Sequence, residues 1–512
     1  MMKHLFGHKT KKDNVPDNIP PMTSSWPTAM ERVNAARQAS ALDGSIWMPT
    51  RSMSAQTRML FCSETGKELL RRYEDCKFAT SKEDEDSEEA EEASTTNDTA
   101  IASSASSKTK LHKPVKPNRL LCHALTNANG DSWRRQRPLV QRALGDAAVT
   151  KTIAVPAATR AAVELLNNQA AQHNTAKLEV REFALQVATV TMMAAVFGHG
   201  VEDTTTHQQL QSAIRNLFHP TLLPVRGNAD KSDALDVPVR QTVRNIEKKM
   251  TAISQDNNNE NYKCLAFNLL QREKVDTPTD QQQQPTLLSR NEVIANCHSA
   301  LLAGTQTIAT TLAGCLLHLA TFRSTENADR SWCRAVVNET LRILPPVATL
   351  PRCPVHGDLP IPTWTGDHTL PEGGALLLDV LSMAHCHPHH HQQSDDDDGD
   401  NNADDQERNN DSNDIDDSDT WTFSIDNNNH QTRRVPKAYP WGFGDRACPA
   451  GNLSVSCISE VLQVLLAEGW TWRLANQEDL GWMTTVSYQP TLTYPNPLWL
   501  VLSQQQQSTT QS

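Results

Sequence analysis

The residues best suited to chemistry lie in Trp441-Gly-Phe-Gly-Asp-Arg-Ala-Cys-Pro-Ala450. The segment reads as a turn that delivers Cys448 to the start of a helix. Gly442 and Gly444 permit backbone conformations that a Cβ would obstruct, and they allow close approach to a flat ligand. Free N–H groups and the dipole of the following helix are expected to stabilise a Cys448 thiolate and to lower its pKa. Arg446, two residues earlier, can neutralise a nearby carboxylate. A thiolate so placed is a metal ligand; the plainer alternative is a buried thiol in a tight turn.

Three further constellations precede it. Glu339-Thr-Leu-Arg342 sets opposite charges at i and i+3 on one helix face, a spacing that a solvated surface pair would also explain. Ala303-Gly-Thr-Gln-Thr307 places small residues and hydroxyls midway along an apolar helix, a composition that also suits a helix–helix crossing. Trp133-Arg-Arg-Gln-Arg137 sets Trp133 and Arg137 at i and i+4 on one face, with Arg134 and Arg135 expected to turn outward as a basic docking patch. Arg352 follows a Pro345-Pro346 helix stop, in Leu-Pro-Arg-Cys-Pro.

Taken in order, these motifs resemble the cytochrome P450 family. Its haem-binding loop runs aromatic, two residues, Gly, any, Arg, any, Cys, any, then Gly or Ala. Trp441, Gly444, Arg446, Cys448 and Ala450 fill those places, with Trp441 substituting for the usual Phe. The resemblance implies a mainly α fold with minor β and a long central helix over the haem. It implies haem b with Cys448 as the axial iron ligand, and Trp441, Phe443, Gly444, Arg446, Trp133, Arg137 and Arg352 binding the cofactor. A thiolate ligand pushes electron density into the iron and favours O–O cleavage. By the same resemblance Glu339 and Arg342 brace the core beneath the haem. Ala303 and Gly304 leave room for dioxygen, and Thr307 relays protons. The implied activity is monooxygenation of a small apolar substrate, with electrons from a partner reductase or ferredoxin and no nucleic acid involved.

Three departures qualify this expectation. Gln306 stands where the family has Asp or Glu, and an amide orients water but cannot shuttle a proton as a carboxylate does. A haem-thiolate isomerase, dehydratase or peroxygenase, needing no such relay, is therefore the alternative enzyme; a non-catalytic haem-binding or scaffold protein is the alternative from another class. Only 32 positions separate Thr307 from Glu339, short of the family's connection by about a helix. The family's third arginine is missing, with Trp421–Asp426 in its place and Arg433 or Arg434 as substitutes.

The elements that must position these residues are mostly helical. Ser289 and Glu292 form a capping box, with Leu288 and Val293 as its hydrophobic staple, and open an apolar run to Leu319. That helix would be about 45 Å long. Further helices are expected over Phe183–Phe197, over Ser331–Leu344, and from Gly451 to Glu468 with Gly469 just past its end. Thr471–Leu474, Leu492–Tyr494 and Leu498–Leu502 read as a small β element.

Composition separates this body from its insertions. The formal charge is -12, but 21 acids in Glu83–Glu92 and Asp395–Asp419, against Lys82 and Arg408, leave the remainder at about +7. The expected organisation is a disordered tail (1–25), one haem domain (26–503) with acidic insertions at about 81–110 and 389–429, and a polar tail (504–512). His385-Cys-His-Pro-His-His-His391 lacks regular ligand spacing and reads as a solvated insertion rather than a zinc or copper site. Eleven scattered cysteines suggest a reducing compartment, cytoplasmic or peripheral to a membrane. Mean hydropathy is -0.54 and no transmembrane anchor is read; the basic Met1–Lys12 leaves organelle targeting open.

Overall fold

The computed structural model describes residues 28–40, 45–47, 57–60, 63–72, 121–172, 177–198, 204–218, 229–253, 263–271, 288–322, 329–352, 358–363, 366–370, 374–386, 420–425, 438–488 and 491–504. The segment expected at 81–110, most of that at 389–429, and Arg433 and Arg434 lie outside the described residues.

Helix α1 (Ala29–Ser40) leads into strands β1 (Ser45–Trp47) and β2 (Thr57–Leu60) and helix α2 (Ser63–Arg72). Helices α3 (Gly130–Gly145) and α4 (Val155–Gln172) precede β3 (Lys177–Glu179). Then come α5 (Val180–Phe197), α6 (Thr204–Phe218), α7 (Ala229–Ile253) and α8 (Leu265–Leu270). The long α9 (Arg290–Phe322) is followed by α10 (Arg330–Ile343) and by strands β4 (Thr349–Arg352), β5 (Leu359–Thr363), β6 (Gly366–Leu370) and β7 (Ala375–Asp379). Helices α11 (Val380–His385) and α12 (Gly451–Ala467) and strands β8 (Trp470–Leu474), β9 (Ser487–Tyr488), β10 (Leu492–Thr493) and β11 (Trp499–Gln504) complete the order.

The central helix forms for local reasons. The Ser289 N–H donates to Glu292 Oε2 at 2.7 Å and the Glu292 N–H to Ser289 Oγ at 3.3 Å, so two orphan donors are satisfied at its start. Its 33 residues span about 50 Å. Asp329, seven positions after the end of α9, caps α10 by accepting the Trp332 N–H at 2.8 Å. The stretch 323–328 between the two helices lies outside the described residues. α5 and α9 are long and apolar enough to cross a membrane, but most of each is buried against other helices.

α5 is the main partner of α9, and Gly304 explains how closely they approach. A Cβ at Gly304 would lie 2.4 Å from Met192 Cε and 2.5 Å from its Sδ. The side of Gly304 where a side chain would project is taken by a methionine from α5.

The sequence reading found the C-terminal strands but missed the larger sheet. β1, β2, β7 and β4 form a four-stranded sheet in that order, with β2 and β7 parallel and the other pairs antiparallel. β11 pairs with both β3 and β8. Beneath the four-stranded sheet lies a second apolar cluster, containing Leu60, Leu69, Val380, Met383 and Phe443.

Gly304→Val should lower stability by about 1–3 kcal/mol through overpacking against Met192. Combining it with Met192→Ala should recover part of that loss, and urea denaturation of the two variants and the double variant checks the coupling.

Candidate active site

The Cys448 turn is closed by its own backbone. The Cys448 N–H donates to Trp441 O at 2.8 Å, Gly442 N–H to Tyr439 O at 2.9 Å, and Ala447 N–H to Gly444 O at 3.1 Å. Gly442 and Gly444 both hold φ at +72°, a conformation that L side chains rarely adopt. Helix α12 begins immediately after, with Ala450 as its first flanking residue, and Gly469 at φ +80° closes the far end. Gly451 lies under Trp441, where a Cβ would approach the indole to 3.2 Å.

Helix α3 holds this turn from one side. Arg137 Nη2 donates to Ala447 O at 2.7 Å, and the Arg446 guanidinium lies 4.8 Å from the centre of the Trp133 ring. Arg446 also donates to Ala128 O and to Asn129 Oδ1, at 3.0 and 2.9 Å. The structure therefore brings together Trp133, Arg137, Arg446 and Cys448, residues the sequence spacing could only place on separate elements. Phe443 goes elsewhere. It is buried among Leu60, Leu69, Val380 and Met383 and meets Tyr439 edge-on, so its expected cofactor contact is corrected to a packing role. Gly444 is exposed, and Trp441 is half-buried against the main core.

The expected lowering of the Cys448 pKa is also corrected. Crowding by protein atoms pushes the thiol above its ordinary value, while the Ala450 N–H and the Arg137 charge pull it down. Yet Cys448 presents exposed surface. The two facts are compatible for a sulfur on the floor of a concavity, walled by protein but open on one side. Arg137 shows the same crowding: burial lowers its pKa, and the charges of Cys448 and Asp445 oppose this.

On α9 the residues on either side of the middle are buried, but Ala303 is exposed and Gly304, Gln306 and Thr307 are half-buried. A core helix with an open stretch over its small residues faces something other than protein. The Thr307 hydroxyl donates to Ala303 O at 2.7 Å, and Thr310 and Thr311 donate back along the helix in the same way. The only carboxylate within α9 is Glu292 in its first turn. It is bound by Arg135 and Ser289, whose bonds outweigh burial and hold it below the usual carboxylate range. The basic docking patch is corrected with it: Arg135 is half-buried on Glu292, and Arg134 pairs with Asp131 at the surface. Gln136 and Asn296 extend the α3–α9 link, with Asn296 Nδ2 donating to Gln136 Oε1 at 2.8 Å.

Helix α10 carries a charged pair. Arg342 Nε and Nη2 donate to the two Glu339 oxygens at 2.9 and 2.8 Å, with the side chains 6% and 0% exposed, which rules out a solvated surface pair. Arg342 also donates to Thr420 O and Thr422 O, and the Ser424 N–H donates to Glu339 Oε1. Backbone groups of 420–425 thus meet further donors and acceptors of the pair. His385 completes the surround: Nε2 lies 2.9 Å from Ile343 O, Nδ1 lies 3.2 Å from Thr420 Oγ1, and the ring stacks on Trp421 at 4.0 Å. The start of the His-rich run is therefore a buried structural contact, and the described residues contain no group of three or more metal-binding side chains. Arg352 is buried on β4 and donates to its neighbour's carbonyl, Pro351 O.

The fold is shared with solved structures under 25% identical in sequence. Ligand-free cytochrome P450 TbtJ1 superposes with a TM-score of 0.58 at 14% identity, over 94% of this chain and all of that one. P450BioI, in complex with an acyl carrier protein ligated to hexadec-9Z-enoic acid, gives 0.59 at 14% identity, over 92% and 98%. The sequence model described as Cytochrome P450 matches residues 100–331. Cytochrome P450 714C2 of Oryza sativa subsp. japonica is 25% identical over 384 residues, 68% of this chain and 66% of the relative. The chain has the cytochrome P450 fold and is similar to that family over residues 100–331. The expected mainly α P450 fold is the one observed, and the similarity implies haem iron held by a thiolate. The residues of this chain fit that group: an exposed cysteine at a helix start, a cation and an N–H beside it, and an open stretch on a core helix.

His385 and His318 carry a pH dependence. Burial is the main cause of a pKa of about 3 in each; the Arg342 charge adds to it in both and Arg37 in His385, while the Ile343 bond opposes it there. Both are neutral when folded but take up protons when unfolded near the ordinary value of about 6.5. Their stabilisation is present above about pH 6.5 and is lost progressively as pH falls towards 3. Thermal midpoints from pH 8 to 5 should fall, and His318→Phe should reduce the slope.

Proposed function

We propose that the chain is a haem-dependent monooxygenase in which Cys448 ligates haem b iron. The observation that carries this is Cys448, an exposed residue at the start of α12, with the Ala450 N–H and the Arg137 charge beside its thiol. Bound there, haem would supply dioxygen activation under the electron push of a thiolate. Arg137 and Arg446 fix the turn to α3 and keep positive charge beside it, where Trp133 and Arg352 are the further candidates for holding the cofactor. Ala303 and Thr307 border the opposite side, where a small apolar substrate and dioxygen would meet. Two electrons and two protons per turnover reduce the second oxygen atom to water, the electrons coming from a separate reductase or ferredoxin. None of the eight described cysteines is disulfide-bonded, in keeping with a reducing compartment, cytoplasmic or peripheral to a membrane.

The protons are the weak link, and Gln306 supports a second reading. It offers no ionisable group, and the Thr307 hydroxyl proton is directed to Ala303 O. An isomerase, dehydratase or peroxygenase needs no acid–hydroxyl relay at that place. Gln306→Glu separates the two: in a monooxygenase it should raise oxygen-dependent turnover severalfold, and an unchanged or lower rate favours the second reading.

Ligation is tested by the carbon-monoxide difference spectrum of the reduced protein. A thiolate-type Soret band is expected, and Cys448→Ala should abolish it. Absence of haem from the purified wild-type chain would end this proposal.

A further inference from the structure

Helix α1 carries two arginines that reach the same short helix at opposite ends. Arg32 Nε donates to Asp379 Oδ2 at 3.0 Å, and Asp379 is fully buried. Asp379 is the residue that caps α11, taking the Ser382 N–H and hydroxyl at 3.3 and 2.9 Å. Five positions on, Arg37 donates through Nε and Nη2 to His385 O at 3.4 and 3.2 Å, and Nη2 also reaches Thr420 Oγ1 at 2.8 Å. His385 ends α11, so a cation lies on its terminal carbonyl, the favourable end of the helix dipole. α1 is itself anchored: Thr28 and Glu31 form a reciprocal capping box, and the Ala29 N–H donates to Val486 O.

What α11 touches makes this arrangement more than a surface clamp. Val380 and Met383 of α11 share one apolar cluster with Phe443 of the Cys448 turn. Thr420, the other acceptor of Arg37, gives its carbonyl to Arg342. Arg37 only donates, so Thr420 Oγ1 accepts from it. Ile343 O only accepts, so His385 Nε2 carries a proton and donates to it beside Arg342.

We infer that Arg37, with Arg32, is a positioning residue for the Cys448 turn: α1 straps α11 and the 420–425 segment against the Glu339–Arg342 pair. The inference rests on the preceding reading only in giving the turn its function; the mechanical coupling stands apart from haem. Glu339 and Arg342 bond to the backbone of 420–425, and Arg37 holds the same segment through Thr420. Removing the Arg37 fork leaves His385 O and Thr420 Oγ1 without a charged donor, and both routes to the turn loosen together.

Amide hydrogen exchange on the full-length protein as purified tests this. Arg37→Met is expected to speed exchange roughly tenfold in 420–425 and 439–450, while α5 keeps its wild-type protection. Arg37→Lys, which keeps the charge but not the fork, should fall between, and it carries the same comparison if the methionine variant does not fold. Transfer of haem to an excess of an apoprotein acceptor should accelerate in the same order. Faster exchange confined to α1, or spread equally through α5, overturns the inference. Should the wild type show no thiolate-type band, the haem reading fails while the exchange pattern still judges the strap.

Discussion

Glu339 and Arg342 place a full negative and a full positive charge inside the protein, where each would be prohibitively costly alone. A buried pair of this kind is tolerated only when its remaining donors and acceptors are also met. Here that requirement reaches across the chain: Thr420 and Thr422 give carbonyls, Ser424 gives an N–H, and the pair itself supplies the bidentate bond. The 420–425 segment is therefore held by the desolvation that would follow if it left. His385, His318 and Trp421 pack around the same place because neutral rings fill it without adding a second unpaired charge. The packing of α10, α11 and the 420–425 segment follows from this one electrostatic constraint.

The Cys448 turn is held by contacts of a different kind. α3 supplies a cation to a carbonyl and an indole face to a cation. α9 is tied to α3 through Glu292, Arg135, Gln136 and Asn296, so the helix with the open stretch and the helix that grips the turn are held together. The site is thus assembled from three separate stretches of sequence. None of these stretches contributes more than a few residues to it.

Much of this was legible in the sequence where the cause is local. The capping box of α9, the stop at Pro345-Pro346 and the glycine turn before α12 each follow from residues within a few positions of one another. The spacing in Glu339–Arg342 and Trp133–Arg137 was legible too, but its meaning was not: i and i+3 charges look alike in water and in a core. What failed to show was set by distant partners. Gly304 gives no sign of its helix contact until Met192 of α5 comes to lie where its Cβ would be. Phe443 reads as a ligand contact until β2 and α11 close over it. Arg135 reads as an outward charge until Glu292 arrives from α9. The four-stranded sheet was missed because its strands are short and drawn from both halves of the chain.

The parallel pairing of β2 with β7 has a consequence in time. Leu60 finds Leu378, and Leu178 finds Leu500, only after most of the chain exists. Contacts of such long sequence separation form late, because loop closure must be met before they return any stability. The sheet that seats Phe443, and with it the turn that presents Cys448, is completed near the end of folding. α9, with its own capping box, needs none of this and can form early. The long-range pairing that seats Phe443 is thus the costlier part of this fold to close, and the self-capped α9 the cheaper.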